Sequence, residues 1–461
     1  MAKKKKVLVI GWDSAEPELV FDKFIDKMPN IKQLMDNGIY GELKSTIPAI
    51  TCPAWMSMMT SKNPGKLGFY GFRNRKDYSY SGMTTANSTS VKEDTVWDIL
   101  SKADKKSIII GVPQTYPPKA INGYMITCFL TPDTSSQYTY PPELKAEVER
   151  VSNGYMLDVE DFRTEEKDQL LKEIYDMTEK RYKVAEHLMT TRDWDFFMMV
   201  EMGIDRIQHG FWKFFDKTHS KYQPTKYESA IMDYYVYLDE LAGKLIKTAG
   251  DDTTVIVVSD HGAKKMDGGI CVNEWLIKEG YLTLKEYPKE PKSFRELDVD
   301  WDKTIAWGEG GYYARIFLNV KGREPKGVIP PEDYEKVRDE IAHKLEALGD
   351  EKGNPIGTKA FKPEDIYPVI NGIPSDLTVY FGDLYWRSVG SVGLGSVHTF
   401  ENDTGPDDAN HAQYGIFIMS DPDGKNRGKI DGLQIMDCAP TILRLLDVPV
   451  PEDMEGKLIN G

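Results

Sequence analysis

The chain has 461 residues, 40% of them hydrophobic and 28% charged, with a formal net charge of -15. That length holds one large α/β domain with insertions, or two domains. The acidic balance argues against a nucleic-acid polymer as main partner, since such binders carry a basic face, and it is compatible with a small substrate that arrives with a metal.

The chain opens MAKKKKVLVIGWD, where the apolar run after the lysines is too short for a signal peptide and ends at Asp13. It reads instead as a first buried strand from Val7. A helical segment broken near Pro29 follows and stops at Gly38. KSIIIGV from Lys106 is a second buried strand, and EEKDQLLKEIYDMTEKRYKVAEHLM a long helix. DWDFFMMVE from Asp193, TTVIVVSD from Thr253 and YGIFIMSD from Tyr414 are three more central strands, and MDCAPTILRLL from Met436 a late helix. Strands separated by helices predict an α/β three-layer sandwich around a mainly parallel sheet. Residues 268–398 are richer in charge, Gly and Pro, and read as an inserted cap or side lobe on a core of 1–267 and 399–461. No segment has the apolar length of a membrane span. Cys52, Cys128, Cys271 and Cys438 are scattered without a CxxC pair, which points to a reducing, cytoplasmic location.

Three predicted strands run into a carboxylate: Asp13 and Asp260 at the strand ends, and Asp205 just past FFMMVE. Ligands of open α/β sheets bind beyond the carboxyl ends of strands, so these side chains can converge on one edge. Any one of them alone is an ordinary turn or cap residue. Histidines add to the pattern. Asp205 and His209 form D-x-x-x-H, on one face if the segment is helical; Asp260 and His261 are adjacent in SDHG; His411 sits in DDANHAQYG. Carboxylate with imidazole suits Zn²⁺, Mn²⁺ or similar ions. Among the remaining histidines, His187, His343 and His219 read as surface residues, while His398 is left open between supporting a ligand and packing a loop.

In IPAITCPAWMSMMTS, Pro53 suits the first turn of a helix, which places Thr51 and Cys52 at its start. Free N–H groups there favour a phosphate-like anion. Thr51 is either the nucleophile or an N-cap, and Cys52 is its rival; a hard metal-phosphate site favours the oxygen of Thr51.

The ordered series VIGWD, ITCPAW, D-x-x-x-H, VSDHG and a late NH before GIF resembles the alkaline phosphatase superfamily. More narrowly it is similar to the type I phosphodiesterase/nucleotide pyrophosphatase family in its prokaryotic form. The resemblance runs from Val7 to about Ile459. It implies one divalent metal on Asp205, His209 and His411, and a second on Asp13, Asp260 and His261 with Thr51 as a further ligand. Zn²⁺ is the first choice and Mn²⁺ the second. The implied reaction is in-line attack by Thr51 on a phosphodiester or phosphoanhydride, followed by hydrolysis of a phosphothreonine intermediate. The implied substrate is a small phosphate ester or nucleotide.

The sequence departs from that pattern at Ala54, where eukaryotic-type members have an Asn that contacts a phosphate oxygen. A phosphomonoesterase or phosphonate hydrolase with the same metals is therefore the rival enzyme, and a metal-binding interaction protein without turnover the rival of another class. The sulfatase frame C-x-P-x-R would need Cys at Thr51 and Arg at Trp55, and is excluded. Trp55, Phe69, Tyr70 and Phe72 offer either a stacking face for a base or core packing. Arg73 and Arg75 either reach a phosphate or are simply solvated, and Arg315 lies in the expected cap.

Overall fold

The computed structural model describes residues 5–424 and 426–460. Its core is a ten-stranded sheet. The core strands are β1 (Lys6–Trp12), β2 (Ile39–Lys44), β3 (Ser107–Ile110), β4 (Gly123–Ile126), β5 (Thr139–Tyr140), β6 (Phe196–Glu201), β7 (Thr253–Val258), β8 (Tyr414–Ser420), β9 (Gly428–Lys429) and β10 (Leu433–Gln434). They lie in the order β9-β2-β8-β7-β1-β6-β3-β4-β5, with β10 also paired to β2. The neighbours β7, β1, β6, β3 and β4 run parallel. β1 and β7 are apolar without alternation and almost wholly buried, as strands covered on both faces must be.

Helices cover both faces. On one side lie α1 (Pro29–Asn37), α4 (Lys167–Thr191), α5 (Gly203–Phe215) and α6 (Ala230–Ala249); on the other lie α2 (Thr51–Thr60), α3 (Val96–Lys102) and α7 (Cys438–Leu445). The predicted three-layer α/β sandwich is thus the architecture found. No helix among the described residues is long and apolar enough to cross a membrane.

One strand breaks the parallel pattern in a useful way. β8 runs antiparallel to both β7 and β2. Its N-terminal end therefore lies on the edge where the parallel strands finish, and His411, which precedes it, reaches the same edge as Asp13, Asp205 and Asp260. The register is tight there: Gly11 pairs with Val258, so Asp13 and Asp260 leave the sheet at the same level.

A second apolar core lies between Ile270 and Trp386. It is built on an antiparallel four-stranded sheet of Ala306–Glu309, Ala314–Leu318, Leu377–Tyr380 and Lys359–Phe361, backed by the helix Tyr334–Glu346. Side chains key this lobe to the surroundings of α2. The Ala49 N–H donates to Tyr380 Oη at 2.7 Å, Tyr313 Oη donates to the Tyr70 carbonyl at 2.7 Å, and Arg75 pairs with Glu324 at 3.1 Å.

Candidate active site

Two groups of possible metal ligands form on the sheet edge: Asp205, His209 and His411, and Asp13, Asp260 and His261. Within each, the ligand atoms lie within 4.8 Å of one another. The groups adjoin, since the His261 and His411 rings stack at 3.8 Å. All six side chains are buried.

Each side chain is tethered by one atom and offers another. Asp13 Oδ2 accepts from Trp55 Nε1 at 2.7 Å, and Oδ1 makes no hydrogen bond. Asp260 Oδ1 accepts from the Ser14 amide at 3.2 Å, and Oδ2 makes none. Asp205 Oδ2 accepts from Arg206 at 2.6 Å, while Oδ1 lies 3.2 Å from His209 Nε2 and 3.9 Å from His411 Nε2. The imidazoles follow the same rule. Nδ1 of His261 donates to the Gly262 carbonyl at 3.0 Å and Nδ1 of His411 to the Ala49 carbonyl at 2.9 Å. A carbonyl can only accept, so both rings carry their proton on Nδ1 and present a bare Nε2. His209 Nδ1 contacts Asp407 Oδ1 at 2.7 Å.

Buried polar atoms without partners are costly. Here they all point inward, and three carboxylates with three imidazoles are the donors that Zn²⁺ or Mn²⁺ accepts. The outer hydrogen bonds are of the kind that fixes tautomer and ring orientation in metal sites. The residues fit two divalent ions.

The electrostatics follow from burial and from the crowding of these groups. Burial, then repulsion from Asp205, pushes the Asp13 carboxyl well above the usual range, and burial, then Asp13, does the same to Asp260. Burial lowers His261 to about 4 and drives His411 well below an ordinary imidazole. Burial opposes charge on His209 too, but Asp407 and Asp205 overcome it and lift the ring to about 9. Asp407 is held below the usual carboxylate range because His209 and Arg163 outweigh its burial.

Thr51 is the first residue of α2, and the N-cap is Ile50, so Thr51 does not serve as the cap. Its Oγ1 lies 3.5 Å from His261 Nε2. Pro53 has no N–H and the Ala54 N–H bonds the Ile50 carbonyl, which leaves the Thr51 and Cys52 amides for an anion. Burial pushes the Cys52 thiol far above its ordinary value, which keeps it a protonated, poor nucleophile.

Thr51, Asp205 and His411 open onto a cavity of about 590 Å³ between the core and the second lobe. Tyr312, from that lobe, stacks on His411 at 4.1 Å and on His209 at 4.9 Å. Phe72 and Phe129 also line the cavity. Trp55, Phe69 and Tyr70 are buried and are not among its lining residues, and Trp55 donates to Asp13 through its indole N–H.

Arg75 is buried against Glu324 and does not reach the cavity; Arg73 and Arg315 line it. His398 packs a loop, with Nε2 against the Gly349 carbonyl at 2.8 Å. His343 is exposed, and His187 is half-buried against Glu147. His219, expected at the surface, is buried: Nε2 contacts the Asp408 carbonyl at 3.1 Å and Nδ1 accepts from the Lys221 amide. Its polar KTHSK setting concealed that it pins the loop after α5 to the segment carrying Asp407. Asp407, Tyr312 and Arg206 were not singled out in the sequence. Only the DDANH run hinted at Asp407.

The fold is alkaline phosphatase-like, and the two carboxylate–imidazole groups lie at one edge of its sheet. The family described as type I phosphodiesterase / nucleotide pyrophosphatase matches residues 7–407, and the chain belongs to that family. No curated protein matches it by sequence. Among solved structures it is similar to human ectonucleotide pyrophosphatase / phosphodiesterase 5, at 14% identity over 97% of each chain and a TM-score of 0.57. The murine form, solved as an inactive threonine-to-alanine variant in complex with AMP, gives the same values.

Proposed function

We propose that the chain hydrolyses a phosphodiester or phosphoanhydride of a small, nucleotide-like substrate, with Thr51 as nucleophile. One observation carries this reading. Six buried carboxylate and imidazole side chains gather in two adjoining groups, and His261 Nε2 of one group lies 3.5 Å from Thr51 Oγ1. Asp205, His209 and His411 would hold one ion, and Asp13, Asp260 and His261 the other together with Thr51; Zn²⁺ is favoured over Mn²⁺. Bound there, the ions supply Lewis-acid charge that acidifies a hydroxyl and stabilises a departing oxygen.

The protein's own residues do the rest. Thr51 Oγ1 attacks phosphorus as its proton passes to water, the bond from phosphorus to the leaving oxygen breaks, and that oxygen departs with the bonding electrons. The Thr51 and Cys52 amides face the phosphoryl oxygens, a role open to them because Ala54 offers no side-chain donor. Water then cleaves the phosphothreonine ester and restores the hydroxyl. Tyr312 covers the His209 and His411 rings and keeps bulk water from them.

The cavity volume suits a nucleotide, and the AMP complex of the murine relative supports that class of ligand. Its inactive threonine variant supports a threonine nucleophile. Four free, buried cysteines support a reducing, cytoplasmic setting. Ala54 favours one second reading, a phosphomonoesterase on the same site. Turnover of the mono- and bis-p-nitrophenyl phosphates, with Zn²⁺ or Mn²⁺ added, separates them. The diester is expected to be preferred; preference for the monoester overturns the diesterase assignment.

A further inference from the structure

Strand β1 runs into a turn that an ordinary side chain resists. Ser14, directly after Asp13, has φ 65° and is fully buried. Left-handed backbone is uncommon outside Gly, Asn and Asp, and it persists only where the surroundings fix it. Here it turns the chain onto the neighbouring strand end. The Ser14 amide donates to Asp260 Oδ1 at 3.2 Å, and the Ser14 hydroxyl to the Gly262 carbonyl at 3.3 Å. Asp13 and Asp260 are thereby tied together through Ser14, while Asp13 Oδ1 and Asp260 Oδ2 keep no hydrogen bond.

The group that holds Ser14 comes from far along the chain. The Ser14 carbonyl accepts from Gln208 Nε2 at 2.8 Å, the one hydrogen bond it makes among the described residues. Gln208 Oε1 accepts in turn from Tyr235 Oη at 3.2 Å, and Tyr235 Oη accepts from the Glu16 amide at 3.2 Å. The Gln208 amide thus closes a ring that begins at Ser14 and returns to the same turn two residues on. Gln208 and Tyr235 are fully buried. A primary amide suits the place, since it donates at one end and accepts at the other, which a carboxylate cannot do.

By position in the chain Gln208 belongs to the other ligand group. It lies on α5 between Asp205 and His209. Among the described residues its side chain bonds neither of them, nor His411. It crosses instead to the turn that serves Asp13 and Asp260. Resting on the reading of the two groups as metal sites, we infer that Gln208 is a positioning residue: it holds the Ser14 turn, so that the helix bearing one group sets the geometry of the other. Without its amide a buried carbonyl is left unpaired and the left-handed turn loses its support, which draws the Ser14 amide off Asp260.

A packing role for Gln208 gives a different pattern. A loosened α5 harms first the group that the helix itself carries, through Asp205 and His209, whereas a positioning role harms the group of Asp13, Asp260 and His261. The full chain, freed of metal by chelation, is titrated with Co²⁺ and followed by its visible absorption, since Co²⁺ accepts the same carboxylate and imidazole donors. Two backgrounds separate the groups: Asp205→Asn disables one, and Asp13→Asn disables the other. Gln208→Met, similar in length but without donor or acceptor, is expected to weaken binding about tenfold or more in the Asp205→Asn background. In the Asp13→Asn background the change is expected to stay below about twofold. If Gln208→Met does not fold, Tyr235→Phe releases the far end of the amide, with a loss of about threefold at the same group alone.

Equal weakening in both backgrounds, weakening confined to the Asp13→Asn background, or no change in either overturns the inference. A chain without substitutions that binds no Co²⁺ overturns the metal reading beneath it. The two failures are distinct, because one is seen in the unsubstituted chain and the other only in the variants.

Discussion

His209 shows how much a single side chain depends on its neighbour. Its Nε2 faces Asp205 only because Nδ1 is committed to Asp407 at 2.7 Å. Asp407→Asn keeps the shape but can present an amide N–H to Nδ1, which favours the wrong tautomer. Metal affinity is expected to fall about 10- to 100-fold, as measured by competition with a chromogenic chelator. Unchanged affinity would show that Asp407 serves only the fold. The six residues that gather in the two carboxylate–imidazole groups were legible in the sequence because each sits at a strand end or in a short Asp–His pattern. Asp407 was not, since an Asp in an Asp-rich loop is ordinary until a distant helix brings a histidine to it. Trp55 was legible as a buried aromatic, but its hydrogen bond to Asp13 depends on how α2 lies across the sheet.

Elements explain why these residues meet. The five neighbouring parallel strands deliver Asp13, Asp205 and Asp260 to one edge, and the antiparallel β8 delivers His411 from before its start. The strand itself was readable as an apolar run, but its direction was not, because parallel and antiparallel buried strands share that pattern. α2 meets β1 closely. A Cβ on Gly11 would lie 2.6 Å from Trp55 Cη2 and 2.8 Å from Val200 Cγ2. Gly11→Ala must therefore displace the indole that holds Asp13. We expect a loss of about 1–3 kcal/mol in denaturant unfolding, together with weaker metal binding. A loss of stability with metal affinity intact would mean that Trp55 does not set the position of Asp13.

At the scale of the whole molecule, the α/β sandwich was legible from the alternation of buried strands and helices. The stretch that holds the second apolar core stood out only as a change in composition. Its short strands and its own apolar core are held by pairings between Ala306 and Tyr380 that no local period reveals. That lobe closes the cavity and brings Tyr312 over the histidines, so the proposed site needs both cores folded together. The central claim is that this assembly exists to activate Thr51. Acid-quenching the enzyme during turnover of bis-p-nitrophenyl phosphate, followed by peptide mass mapping, tests it directly. A phosphoryl adduct, still bearing the retained ester group, is expected on the peptide containing Thr51. Thr51→Ala is expected to lose both adduct and turnover, and Cys52→Ala largely to keep both. Turnover that survives Thr51→Ala, or an adduct mapping to Cys52, would contradict it.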